Sequence, residues 1–169
     1  MDFTISRRSL LLGGIGLAVF PSLASSHEPD PIPPTIFLKH VIDPALDLIK
    51  DYIPRSQAAT DLVLGTALAE SGLDANLAGY DKPPDLGFWQ MSQDTEELLL
   101  KRLKNRHMPL YAVLMALREK SKTAGIIPLV ASPFYACVAC RAYYWLVPGN
   151  IPHTLRGQAE YWCRHWNTY

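Results

Sequence analysis

Leu62-Val63-Leu64-Gly65-Thr66-Ala67-Leu68-Ala69-Glu70-Ser71-Gly72 decides the reading of this chain. Residues 62–69 are apolar or small nearly all round, so they read as a helix buried on every side. Ser56 precedes the run at an N-cap position, and Gly72 stands where a left-handed residue ends a helix. Glu70 therefore sits in the last turn of a buried helix. Burial disfavours its charge, and so does the negative end of the helix dipole. Both raise its pKa, as a general acid working near neutrality requires. A helix-end glutamate turned to solvent is the plainer alternative.

Outward from this helix the chain stays helical. Residues 36–42 and 44–53 read as two short helices separated by Asp43-Pro44. Residues 72–91 form a loop punctuated by glycine and proline, with room for a small hairpin. Ser92 or Asp94 caps the next helix, and Asp94 with Glu97 has capping-box spacing. Pro109 suits the first turn of a helix to about residue 120. Ser132-Pro133 opens another, ending near Val147-Pro148, and Thr154 starts the last, to about Trp166. No alternating strand pattern of five residues and no repeat is evident. The expectation is an all-α fold with minimal or no sheet: one compact helical domain carrying a long active-site loop.

The N-terminus reads as an address. Arg7-Arg8 precedes an 11-residue apolar run at 10–20, too short for an ordinary transmembrane helix. Pro21 breaks the run, and Ser22 and Ala24 give small residues for cleavage after Ala24. Residues 1–26 are thus expected to be a twin-arginine-like signal peptide. Residues 27–35, HEPDPIPPT, read as a proline-rich linker, and residues 36–169 as the folded domain. The mature protein is expected outside the cytoplasm, periplasmic or extracellular, with no stable membrane insertion once the signal is removed.

Composition narrows the function. Of 169 residues, 16 are basic and 16 acidic, so no domain-wide positive field holds nucleic acid. Three cysteines give no complete disulfide framework. Cys137 and Cys140 have C-x-x-C spacing on an apolar helix, where buried packing outweighs zinc binding with Cys163 and His165. In an exported chain Cys163 could instead bridge to one of the pair. The histidines show no metal-binding spacing, and the basic run 101–107 reads as a solvated helix face. No cofactor or metal is expected.

Glu70-Ser71-Gly72, followed 15 residues on by Gly87-Phe88-Trp89-Gln90-Met91-Ser92-Gln93-Asp94-Thr95, resembles the lytic transglycosylases of the lysozyme-like superfamily. Those enzymes carry Glu-Ser at the end of a core helix, then Gly-Leu-Met-Gln-Ile-Met-Pro-Ala-Thr. Gly87, Gln90 and Thr95 match without a gap, and Met91 fills the aliphatic place. Gln93 replaces the proline, and Ala136 stands where the family has an asparagine. The ending from Ala159 to Thr168 resembles a form found in bacteriophage lysozyme-like proteins, which makes a virion-associated protein the alternative location. The resemblance spans about residues 56–169. It implies a monomer acting on peptidoglycan glycan strands and cleaving the MurNAc-GlcNAc bond, with Glu70 as the single acid and base. A hydrolytic muramidase and a non-catalytic wall-binding relative are the alternatives.

Around Glu70 the expected substrate-binding residues are Ser71, Gly87, Trp89, Gln90, Tyr143 and Tyr161. Gly87 permits close backbone approach, and Gln90 both donates and accepts towards a sugar. Ser71 can hold the acid's surroundings. Phe88, Trp89, Tyr143, Tyr144, Tyr161 and Trp162 can each stack on a sugar or pack in the core. Trp89, in the loop, is the one expected in the cleft. Asp74, Asp81 and Asp85 are the candidates for a second carboxylate, but turn chemistry explains aspartates beside glycine and proline.

Overall fold

The computed structural model describes residues 30–75, 85–122 and 125–167. The signal peptide expected over 1–26 lies outside the described residues. The fold is all-α apart from one two-stranded sheet. The folded part begins before residue 36. The Ile32 amide donates to the Leu73 carbonyl at 3.0 Å, and helix α1 (Pro34–Phe37) starts within the expected linker. Prolines 33 and 34 are therefore a helix start, with Pro34 in the first turn where its missing N–H costs nothing.

Asp43-Pro44 does not separate two helices. Helix α1 runs through a π turn, Leu38–Ile42, into α2 (Asp43–Leu48). A proline inside a helix lacks a donor and pushes on the carbonyl four residues back. The wide turn just before Pro44 absorbs that conflict, with the Asp43 amide reaching the Leu38 carbonyl. Arg55 then clamps the segment from beyond its C-terminal end, pairing with Asp43 and, at 2.7 Å, with Asp47.

Helix α3 (Gln57–Ser71) forms as its caps dictate. Ser56 Oγ accepts from the Ala59 amide at 3.1 Å, and Gly72 closes the helix at φ 61°. The hairpin is small: β1 (Asp85–Leu86) pairs antiparallel with β2 (Met91–Ser92), Asp85 opposite Ser92. Ser92, not Asp94, caps α4 (Gln93–Arg106), accepting from the Thr95 amide at 3.2 Å. Then come α5 (Met108–Lys120), the short α6 (Pro128–Ala131), α7 (Pro133–Trp145) capped by Ser132, and α8 (Leu155–His165) capped by Thr154.

The core gathers on α7, which packs against α2, α3, α4, α5, α6 and the π turn. Its residues 135–142 are all buried, which leaves no polar face to spare and explains its lack of amphipathic pattern. Cys137 and Cys140 are part of this packing and Cys163 is exposed on α8; all three are free thiols, so the bridge from Cys163 does not form. One ion pair has its carboxylate buried. Glu96, 1% exposed, accepts from Arg118 Nε at 2.9 Å and from the Tyr135 hydroxyl.

Candidate functional site

Glu70 stands in the last turn of α3, half-buried, on the wall of a cavity of about 120 Å³. Asp85, Gln90, Ser92, Thr95 and Tyr143 share that wall, with Trp166 and Asn167 from the chain's end. Four separate stretches thus meet at one cavity: the end of α3, the hairpin with the start of α4, the C-terminal part of α7, and the segment after α8.

The surroundings of Glu70 set its chemistry. Desolvation is the largest influence and raises its pKa above the ordinary carboxylate range. Trp162 Nε1 donates to Oε1 at 3.1 Å, which opposes the rise by stabilising the ionised form. The negative charge of Asp85 adds to the rise. One turn earlier, Thr66 Oγ1 bonds the Leu62 carbonyl and the Tyr144 hydroxyl, each at 2.8 Å, fixing α3 against α7. The acid is held on a rigid base, as a preorganised site requires.

Gln90 is brought to the same cavity, as its place after the turn predicts. The turn is tight. Gly87 takes φ 70° and Gln90, unusually for a side-chain-bearing residue, φ 46°. The Gln90 amide and Nε2 both donate to the Gly87 carbonyl, at 3.1 and 2.7 Å. Gly87 is needed for close approach, but its neighbour is α6: a Cβ there would lie 2.3 Å from the Leu129 carbonyl oxygen. Its contribution to the site is indirect, through the placement of the hairpin.

Tyr143 lines the cavity, its hydroxyl donating to the His165 carbonyl at 2.7 Å. Trp166 meets it edge to face at 5.1 Å between ring centroids. These rings form the aromatic wall.

Besides Gly87, three expected substrate contacts are corrected. Trp89 is fully buried. Its Nε1 donates to the Val63 carbonyl at 2.9 Å and its ring packs on Phe37, so it anchors the hairpin beneath α3 rather than lining the cleft. A loop tryptophan with an unpaired N–H gains more by finding an inner carbonyl than by staying in water. Ser71 is 2% exposed, its Oγ donating to the Ala67 carbonyl and accepting from the Leu73 amide, and it serves the helix end. Tyr161 is buried against Tyr144 and His165 and does not reach the cavity. Phe88 and Tyr144 are likewise core residues.

Two groups at the site escape a reading of turn and motif. Asp85 is a strand residue, not a turn residue, and its pairing with Ser92 brings it to the Glu70 cavity. The donor to Glu70 comes from α8, 92 positions along the chain, a contact that no local spacing announces. Among the described residues no cluster of His, Cys, Asp and Glu has the geometry to hold a metal ion. No protein-family model, no curated protein and no solved structure matches the chain.

Proposed function

We propose that this chain cleaves peptidoglycan glycan strands as a lytic transglycosylase, with Glu70 as both acid and base. The observation that carries the reading is the shared cavity of Glu70 and Gln90, in which desolvation raises the acid's pKa. Trp162 engages Oε1, so the transferable proton belongs on Oε2. That proton passes to the glycosidic oxygen as its bond to C1 breaks, and the substrate's acetamido oxygen closes on C1. The Glu70 carboxylate, now stabilised by Trp162, takes the proton of the C6 hydroxyl as that oxygen attacks C1 and displaces the acetamido oxygen, restoring the N-acetyl group. The product is a 1,6-anhydro sugar. Gln90 and the Tyr143–Trp166 wall offer polar and stacking contacts to the ring.

Asp85 favours a second reading, hydrolysis by a muramidase. Two carboxylates flanking one cavity is the arrangement of most glycosidases, where the second activates water or stabilises the cation. Incubating the protein with purified sacculi and weighing the products by mass spectrometry separates the readings. Anhydro ends support the transglycosylase, reducing ends the muramidase, and intact sacculi a non-catalytic wall-binding or virion protein.

The proposal includes export. Among the described residues no helix is long and apolar enough to cross a membrane. N-terminal sequencing of exported protein is expected to start within residues 25–27. Changing Arg7 and Arg8 to lysine is expected to block export; normal export of that variant would point to the general secretory route.

A further inference from the structure

Arg141 poses a problem that the Glu70 cavity does not solve. It sits in α7, 6% exposed, in the part of the helix that is otherwise all core. Nη2 donates to the Pro54 carbonyl at 3.1 Å, but Nη1 is shielded from solvent and has no partner. The ion pairs of the described residues engage Arg55, Arg118, Lys122 and Arg156, and none includes Arg141. Two titratable groups face it, Cys140 and Tyr161, and burial raises the pKa of both, so neither is an anion near neutral pH. Burial lowers the guanidinium's own pKa, but from so high a starting point that it keeps its charge. A buried cation with one carbonyl and no anion is a rare arrangement, because buried charges are ordinarily paired or bound to a ligand.

The same residue lines a cavity of about 560 Å³ that, among the described residues, shares none of its lining with the Glu70 cavity. Ser56 and Ala58 bring the N-terminal turn of the 15-residue α3 to its wall, where backbone amides and the helix dipole favour negative charge. Asn150 and His153 add polar side chains, and among the described residues no carboxylate lines the cavity. The two features are independent. One is a buried guanidinium with no anion beside it; the other is a concavity it lines, which brings together a helix N-terminus and the polar side chains of Asn150 and His153.

We propose that this cavity is a binding site for an oxyanionic group, a carboxylate or a phosphate, that neutralises Arg141. Seated there, the anion faces the guanidinium across a low-dielectric wall, where charge attraction is strong. Turning the fork so that Nη1 faces the cavity brings it to an anion oxygen, the planar contact that arginine provides and lysine does not. The site does not depend on what Glu70 cleaves.

The test uses the full folded chain, with side-chain 15N resonances of Arg141 followed by NMR. Inorganic phosphate and acetate are titrated separately against chloride at equal ionic strength. A saturable shift of the Arg141 resonances, with affinity in the range of about 1 mM or tighter, and a rise in Tm with the same anion are expected. Phosphate alone, or acetate alone, identifies which oxyanion the site selects. Arg141→Met is expected to abolish the shift in Tm. Should that variant fail to fold, a double change of Asn150 and His153 to alanine keeps the guanidinium and is expected to weaken binding several-fold. Arg141 resonances that move no more with phosphate or acetate than with chloride would overturn the proposal, as would an anion-induced Tm rise that survives in both variants.

Discussion

Two glycines, 22 positions apart, should respond to alanine in opposite directions. At Gly87 the added Cβ lies 2.3 Å from the Leu129 carbonyl oxygen, roughly 1 Å short of ordinary contact. The obstacle is backbone of α6, not the end of a flexible side chain. The residue also holds φ 70°, a region that costs a side-chain-bearing residue about 1–2 kcal/mol. Relieving the clash adds about 1–3 kcal/mol, as for other overpacked positions. Gly87→Ala is therefore expected to cost about 2–5 kcal/mol, or roughly 4–20 °C in Tm for a chain of this size. At Gly65, inside α3 and exposed, nothing lies within 4 Å of the new Cβ. Gly65→Ala is expected to stabilise by about 0.5–1 kcal/mol through backbone entropy alone. Urea unfolding of the two variants beside the parent chain reads both numbers. A Gly87→Ala variant within about 0.5 kcal/mol of the parent, inside the range of a neutral surface change, would refute the packing of the hairpin on α6 and the site built on it.

Further outcomes concern the acid, its donor and the Glu96 ion pair. Glu70→Gln is expected to end sacculus cleavage by orders of magnitude while remaining folded by circular dichroism. A raised carboxyl pKa means that the native state binds its proton more tightly than the unfolded chain. The burden of the charge therefore appears as pH rises through the folded pKa, so Glu70→Gln should melt above the parent at neutral pH and level with it in acid, as thermal scans across pH will show. Trp162→Phe removes the hydrogen bond that favours the ionised acid, so the alkaline limb of the pH–rate profile should move to higher pH. Glu96→Ala leaves the buried Tyr135 hydroxyl and the partly exposed Arg118 without their carboxylate, and should cost about 1–3 kcal/mol in chemical unfolding.

The caps were the most legible part of the sequence. Ser56, Ser132, Thr154 and Gly72 act where their chemistry places them, because capping is decided within four residues. Pro44 misled because its effect depends on the turn before it, and a π turn leaves no mark in the hydrophobic pattern. At the site, Glu70 follows from a buried helix end, a local feature, and Gln90 from the resemblance carried by Gly87, Gln90 and Thr95. Trp89 and Ser71 look the part in sequence, yet each hydrogen-bonds inward, an outcome set by carbonyls that only the folded chain brings near. Asp85 and Trp162 reach Glu70 through strand register and through the packing of α8, both long-range relations.

The three thiols divide the molecule into two clocks. Cys137 and Cys140 lie wholly inside α7, and burial lifts both far from the thiolate range, so a maleimide meets them only when the core opens. Cys163 lies exposed on α8, the residue after the tryptophan that holds Glu70. A single reagent therefore marks the surface of α8 at once and the core at the rate of global opening. A dye on Cys163 would report movements of α8 against α3 without any engineered cysteine, and the slow labelling of the α7 pair would time, in the same sample, how long the fold survives.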